Sequence, residues 1–161
     1  MHFSIREATR EDVPALLKLI KDLAVYERLL DQVVASEDLL ARAGFGEERF
    51  FRALLAEDAE KQAIGFALYF FTFSTFLARP TLYLEDLFVL PELRGRGVGK
   101  ALLRELAKIA LAKGCGRMEW AVLNWNQPAI DFYRSLGALP QEEWTTFRLT
   151  GEALERLSKA D

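Results

Sequence analysis

The chain of 161 residues contains one cysteine, Cys115, and one histidine, His2. A lone cysteine makes no internal disulfide and no Cys-x-x-Cys metal site, which fits a reducing compartment. With the only histidine two residues from the start, serine–histidine–acid and cysteine–histidine nucleophiles and multi-histidine zinc sites are excluded. Any proton transfer then falls to Glu, Asp, Tyr, Lys or water, and no metal is expected. Long apolar runs are also missing. The longest candidate, residues 63–73, contains Gly65 and Thr72 and is shorter than the roughly 18 residues a membrane span needs. Residues 1–6 hold no apolar signal core. The expectation is a cytoplasmic protein with no membrane partner. Positive charge is not in excess either: the net charge is −3. That argues against a nucleic-acid partner and is compatible with a small cationic one.

What is present suits one globular domain over residues 1–161. Hydrophobic residues make up 51% and charged residues 28%, and the length supports one sizeable core. No repeat, low-complexity stretch or linker is visible. Residues 3–7 alternate as a strand. Thr9 caps a first helix running to about Glu27 on the apolar series Leu16, Leu17, Ile20, Leu23 and Ala24. Ser36 caps a short second helix that Gly44 and Gly46 stop. Strands follow at 50–57, 62–73 and 82–90. A helix over 98–113 carries Leu102, Leu103, Leu106, Ile109 and Ala110 on one stripe. Then come a strand at 117–123, a helix at 126–136, a strand at 144–149 and a short helix from Thr150. The series β-α-α-β-β-β-α-β-α-β-α predicts an α/β fold, a mixed, mostly antiparallel central sheet with helices on both faces.

The turn between the strand at 82–90 and the next helix reads Arg94-Gly95-Arg96-Gly97-Val98-Gly99-Lys100, three glycines and three cations in seven residues. Glycines let backbone approach an anion without a Cβ in the way. A helix start adds unpaired N–H groups and partial positive charge. The segment is therefore a diphosphate cradle. The spacing fails a Walker A loop, which needs Gly where Arg94 stands and Ser or Thr where Ala101 stands. It also fails a Rossmann fingerprint, since Lys100 occupies the last glycine position.

Residues 89–103, Val-Leu-Pro-Glu-Leu-Arg-Gly-Arg-Gly-Val-Gly-Lys-Ala-Leu-Leu, resemble the coenzyme A motif of the GNAT superfamily of N-acetyltransferases, Gln/Arg-x-x-Gly-x-Gly/Ala. Asn124-Trp125-Asn126-Gln127-Pro128-Ala129-Ile130-Asp131-Phe132-Tyr133 resembles the family's second motif. A narrower similarity, to the diamine acetyltransferases acting on spermidine, spermine or thialysine, runs through residues 19–27, 44–46, 83–89 and 125–128 and so spans nearly the whole chain. Residues 117–120 and 74–81 depart from the polyamine enzymes.

The resemblance implies acetyl-CoA as cosubstrate and a homodimer. It implies direct acetyl transfer to a primary amine of a small cationic acceptor, a polyamine, diamine or thialysine-like amino acid. A peptide or antibiotic amine, or a non-catalytic acyl-CoA sensor, stays as the alternative. Coenzyme binding falls to Leu87, Phe88, Val89, Arg94, Gly95, Arg96, Gly97, Val98, Gly99, Lys100, Asn126 and Ala129. Tyr26, Glu27, Glu85 and Glu119 are the amine-facing candidates. Glu85 serves as general base, directly or through water, or only binds the cation. Tyr133 serves as general acid, since a phenol near pKa 10 protonates a leaving thiolate of similar basicity.

Overall fold

The computed structural model describes residues 1–160. They form two compact units, one from Met1 to Leu123 and one from Asn124 onward.

The first unit is built on strands β1 (Phe3–Glu7), β2 (Arg52–Asp58), β3 (Ala63–Ser74), β4 (Arg79–Val89) and β5 (Arg117–Trp120), with helices α1 (Val13–Tyr26), α2 (Glu37–Phe45) and α3 (Val98–Ala112). The sheet order is β1-β2-β3-β4-β5. The first three pairings are antiparallel and β4–β5 is parallel, so the expected mixed, mostly antiparallel sheet is present. Parallel pairing requires a crossover, and α3 supplies it.

α1 forms because its apolar residues recur every three or four positions. Leu16, Leu19 and Leu23 are buried against Ala53, Leu55, Phe66, Leu68 and Phe88 of β2, β3 and β4. Burying each leucine contributes about 1.5–3 kcal/mol. α3, with Val98, Leu102 and Leu106 buried, packs on β3 and β4. None of its residues belongs to the α1 cluster, so it covers the other face. Arg6 of β1 makes a two-pronged ion pair with Asp12 at 2.7 and 2.8 Å and a second pair with Glu57 of β2. The Arg6 bond holds the Asp12 carboxyl below its ordinary range.

The second unit contains α4 (Gln127–Ser135) and α5 (Gly151–Lys159). The strand expected at 144–149 is absent: no residue there pairs in a ladder, and Trp144 and Phe147 are 78% and 91% exposed. Apolar residues at 144, 147 and 149 among threonines suit a strand by propensity, but a ladder also needs a partner edge. The expected strand at 117–123 is likewise shorter, ending at Trp120.

β3 and β4 approach closely at Gly65, where an added Cβ would lie 2.8 Å from the Phe88 carbonyl oxygen and 3.4 Å from Val89 Cα. Backbone cannot yield as a flexible side chain does. Gly65→Ala is expected to destabilise the fold by about 1–3 kcal/mol, lowering the thermal midpoint by several degrees. Scanning calorimetry checks this; an unchanged midpoint would show that the strands part freely there.

Candidate active site

β4 carries one extra residue. Its ladder with β3 runs Leu68↔Asp86 and then Tyr69↔Leu84, so two β4 steps match one β3 step and Glu85 is bulged. Such a bulge re-aims side chains and increases local twist. Phe66 and Leu68 lie on the α1 face, and their partners Phe88 and Asp86 share it. Leu84, opposite Tyr69, takes the other face. Simple alternation would have put Leu84 and Asp86 on one side.

The bulge gathers carboxylates. Asp86 is half-buried, and desolvation, followed by repulsion from Glu85 and Glu27, raises its pKa to about 7. Glu27 caps the end of α1 and is itself pushed up by burial. Glu85 is exposed. Asp86 is thus a group poised to exchange protons near neutrality, whereas of the pair Glu85-Asp86 the family resemblance favours Glu85. The available signal was the adjacent pair Glu85-Asp86, but choosing between them required the bulge.

Beyond the bulge β4 leaves its neighbour. The parallel ladder with β5 stops at Leu84↔Trp120, whereas β4 continues to Val89. Residues 85–89 therefore have no strand partner on that edge among the described residues. Leu90 N–H donates to the Ile64 carbonyl on the β3 side. The polar backbone groups of Val89, and of Leu87 two residues back, accordingly face the open edge. Phe88 is buried in the α1 cluster, so its side chain serves the core.

The glycine-rich turn follows through a short 3-10 turn at Pro91–Leu93. Gly95 and Gly97 have φ of +77° and +87°, a region where L side chains are strained. A Cβ at either position would meet nothing within 4 Å. Packing leaves open space at both, as expected where backbone must approach an anion. α3 starts at Val98, and its N-cap Gly97 offers no side-chain acceptor. The first-turn N–H groups are thus left for a ligand or water. Arg96 and Lys100 are exposed beside them, and Gly99 is partly buried. These residues fit a coenzyme diphosphate.

Arg94, expected on the coenzyme, lays its side chain on α1 and β4. Its guanidinium carbon sits 4.2 Å from the Tyr26 ring centroid and 5.5 Å from that of Phe88, and its Nε donates to the Val89 carbonyl at 3.2 Å. Glu119 of β5 is ion-paired with Arg117 at 2.8 Å and stands opposite Tyr83. Among the described residues no group of three or more His, Cys, Asp or Glu is arranged around a common metal position.

In the second unit Asn126 is buried and is the N-cap of α4, its Oδ1 accepting from Ala129 N–H at 3.4 Å. Pro128 follows in the first turn, where its missing N–H is no loss. Tyr133 lies two turns along α4, half-buried, its ring 5.7 Å from that of Phe132.

Comparison with known proteins shows the family. Residues 15–138 match the acetyltransferase (GNAT) family model. The chain is 44% identical to thialysine N-epsilon-acetyltransferase of Sus scrofa, over 96% of both chains. It is 34% identical to an L-ornithine N5-acetyltransferase of Arabidopsis thaliana, over 99% of this chain and 89% of that one. Among solved structures, an integron cassette protein of V. cholerae superposes with a TM-score of 0.82 at 30% identity, over 99% of each chain. An acidic bulge, an open strand edge and a glycine turn at a helix start thus occur in a chain that belongs to the acetyltransferase (GNAT) family, and it is an acetyl-CoA-dependent N-acetyltransferase.

Proposed function

We propose that the chain acetylates a primary amine of a small cationic acceptor, a polyamine, diamine or thialysine-like amino acid, by direct transfer from acetyl-CoA. The observation that carries this is the carboxylate group formed by Asp86 and Glu85 on the bulge that leads into the coenzyme turn and Glu27 at the end of α1. Negative charge there attracts an ammonium group, and a carboxylate titrating near 7 accepts its proton. The names of the two relatives, thialysine and ornithine acetyltransferases, support a basic amino acid or diamine.

The bound acetyl-CoA supplies the activated acyl group. Gly95, Gly97, Val98 and Gly99 would hold its diphosphate by backbone N–H, with Arg96 and Lys100 adding charge. Leu87, and Val89 through its N–H, would offer backbone groups on the open edge of β4, with Asn126 and Ala129 of α4 also assigned to the coenzyme. Asp86 takes the amine proton, and Glu85, Glu27 and Tyr26 orient the cation. Tyr133 gives a proton to the departing sulfur. Positioning of both reactants accounts for about 7–11 kcal/mol of barrier lowering in well-oriented systems.

One GNAT domain over residues 1–161 fits a family match that crosses from one compact unit into the next. A homodimer in the cytoplasm, without nucleic-acid or membrane partners, completes the reading. Exposed Phe73 and Phe76, and in the other unit Trp144 and Phe147, are apolar surface that a second copy would cover. Light scattering tests the dimer. Thiol release with acetyl-CoA across a panel of diamines, polyamines and basic amino acids tests the activity. Coenzyme binding without turnover on any amine would overturn it.

Tyr133→Phe should lower kcat by about 10²-fold with coenzyme affinity nearly unchanged by calorimetry; an unchanged kcat removes Tyr133 from the acid role. Gly97→Val forces a β-branched residue to φ near +87°, strain of about 1–3 kcal/mol, and puts atoms beside the first N–H groups of α3. A folded variant should lose acetyl-CoA affinity by more than about tenfold. Normal binding would place the coenzyme elsewhere.

Asp86→Asn joins activity to stability. Folded Asp86 keeps its proton up to about pH 7, whereas the unfolded chain loses it near 3.9. The folded state therefore holds an extra proton between those values, and stability falls as pH rises through that window. The three-unit difference costs up to about 4 kcal/mol at pH 8. The variant should lose kcat/KM yet melt higher than wild type at pH 8, with the gap closing below pH 4. A lower melting point at pH 8 would show that the ionised carboxylate is stabilising.

A further inference from the structure

We propose that Arg94 is a positioning residue for the amine side of the reaction: its guanidinium, laid on Tyr26 and bonded to the Val89 carbonyl, holds the end of α1 with Glu27 against the β4 bulge. The inference rests on the reading of that bulge as the amine site.

The geometry ties three segments distant in sequence. Tyr26 is the last residue of α1, Val89 the last of β4, and Arg94 the first residue of the glycine turn. The guanidinium covers the Tyr26 ring at 4.2 Å, reaches the Phe88 ring at 5.5 Å, and spends its Nε donor on Val89 at 3.2 Å. A planar cation on an aromatic face is an arrangement Arg supplies and Lys does not.

The end of α1 needs such a tie. The C-terminus of a helix carries partial negative charge, and the last turn of α1 holds no basic residue. Glu27 adds a full negative charge there, and the groups facing Asp86 are Glu27 from α1 and Glu85 from β4 itself. Glu27 and Asp86 repel, so the helix end gains by moving away. Just beyond it Arg28 takes φ of +62°, a conformation most side chains avoid, and Leu29 N–H bonds back to the Ala24 carbonyl at 2.8 Å. Arg94 sets a cation against this terminus and fixes its last ring in place. The side chain at the head of the coenzyme turn thus works on the acceptor side, while the backbone that follows it serves the donor.

The test uses the full chain with Arg94→Lys, Tyr26→Leu and the double variant. Lys keeps the charge but not the plane. Arg94→Lys should raise the amine KM about five- to tenfold, the equivalent of a stacked cation and one hydrogen bond. Acetyl-CoA Kd should stay within about threefold, since the cradle and the charge remain. Release of Glu27 and entry of water lower the Asp86 pKa, so the acidic limb of kcat/KM should move to lower pH. The double variant should be no worse than the weaker single one. Independently of turnover, amide exchange at residues 27–29 should quicken at least about fivefold, with the first turn of α3 unchanged. A rise in acetyl-CoA Kd with amine KM and pH limb unmoved, additive losses in the double variant, or unaltered exchange at 27–29 would each overturn the proposal. Absence of wild-type turnover on every amine would instead overturn the functional reading, and the exchange measurement would still judge the contact.

Discussion

One additional residue in β4 changes which face every later side chain takes. Through Leu84 the strand alternates in step with Tyr69 of β3, and after Glu85 it resumes in step with Leu68. Phe88 thereby enters the core beneath α1, and Asp86 turns toward the same side and the end of that helix. Just past Leu84 the ladder to β5 also ends. The inserted residue and the strand divergence are adjacent, so the place where β4 exposes backbone is also where it presents carboxylates. In the proposed reading, donor and acceptor sites would share one strand because its pairing is interrupted at one place.

That arrangement works against stability in a specific way. Two like charges, Asp86 and Glu27, approach in a partly desolvated place, and both carboxyls are pushed toward their neutral forms. Natural folds tolerate such cost at sites where a titrating group near neutrality is needed. The compensation lies in the surrounding packing: Leu16, Leu19 and Leu23 anchor α1 along its length, and the Arg94 stack fixes its end. Arg6, bridging Asp12 and Glu57, fixes the opposite end of the same helix to β1 and β2. The helix is thus pinned at both termini by arginines from outside it, while its carboxylate-bearing end faces Asp86 of the β4 bulge.

Much of the fold was legible because it is specified locally. α3 begins at Val98 as its stripe and the preceding glycine predict, Ser36 caps α2 through its bond to Leu39 N–H, and Asn126 caps α4. Five of the six expected strands exist. The sixth, at 144–149, failed because strand propensity says nothing about a partner edge. The bulge was invisible for the converse reason: Leu84-Glu85-Asp86-Leu87 has no residue that demands it, and only the register against Leu68 and Tyr69 reveals it. The Arg94–Tyr26 stack joins residues 68 positions apart, beyond any periodic signal.

These differences follow from how each half of the reaction is recognised. In the proposed reading the coenzyme diphosphate would be met by consecutive backbone N–H groups, a requirement written in one short segment as glycines at 95 and 97 with φ near +80° and a helix start. The amine would be met by carboxylates from α1 and β4, which core packing rather than spacing brings together. On that proposal, changing the acceptor would call for substitutions at Tyr26, Glu27 or Glu85, each free of the glycine turn's backbone constraint. A family can keep one donor and vary its acceptors because the two specificities sit on separable parts of the sequence. Arg94 is the exception, since it heads the donor turn while its side chain lies on the acceptor's helix.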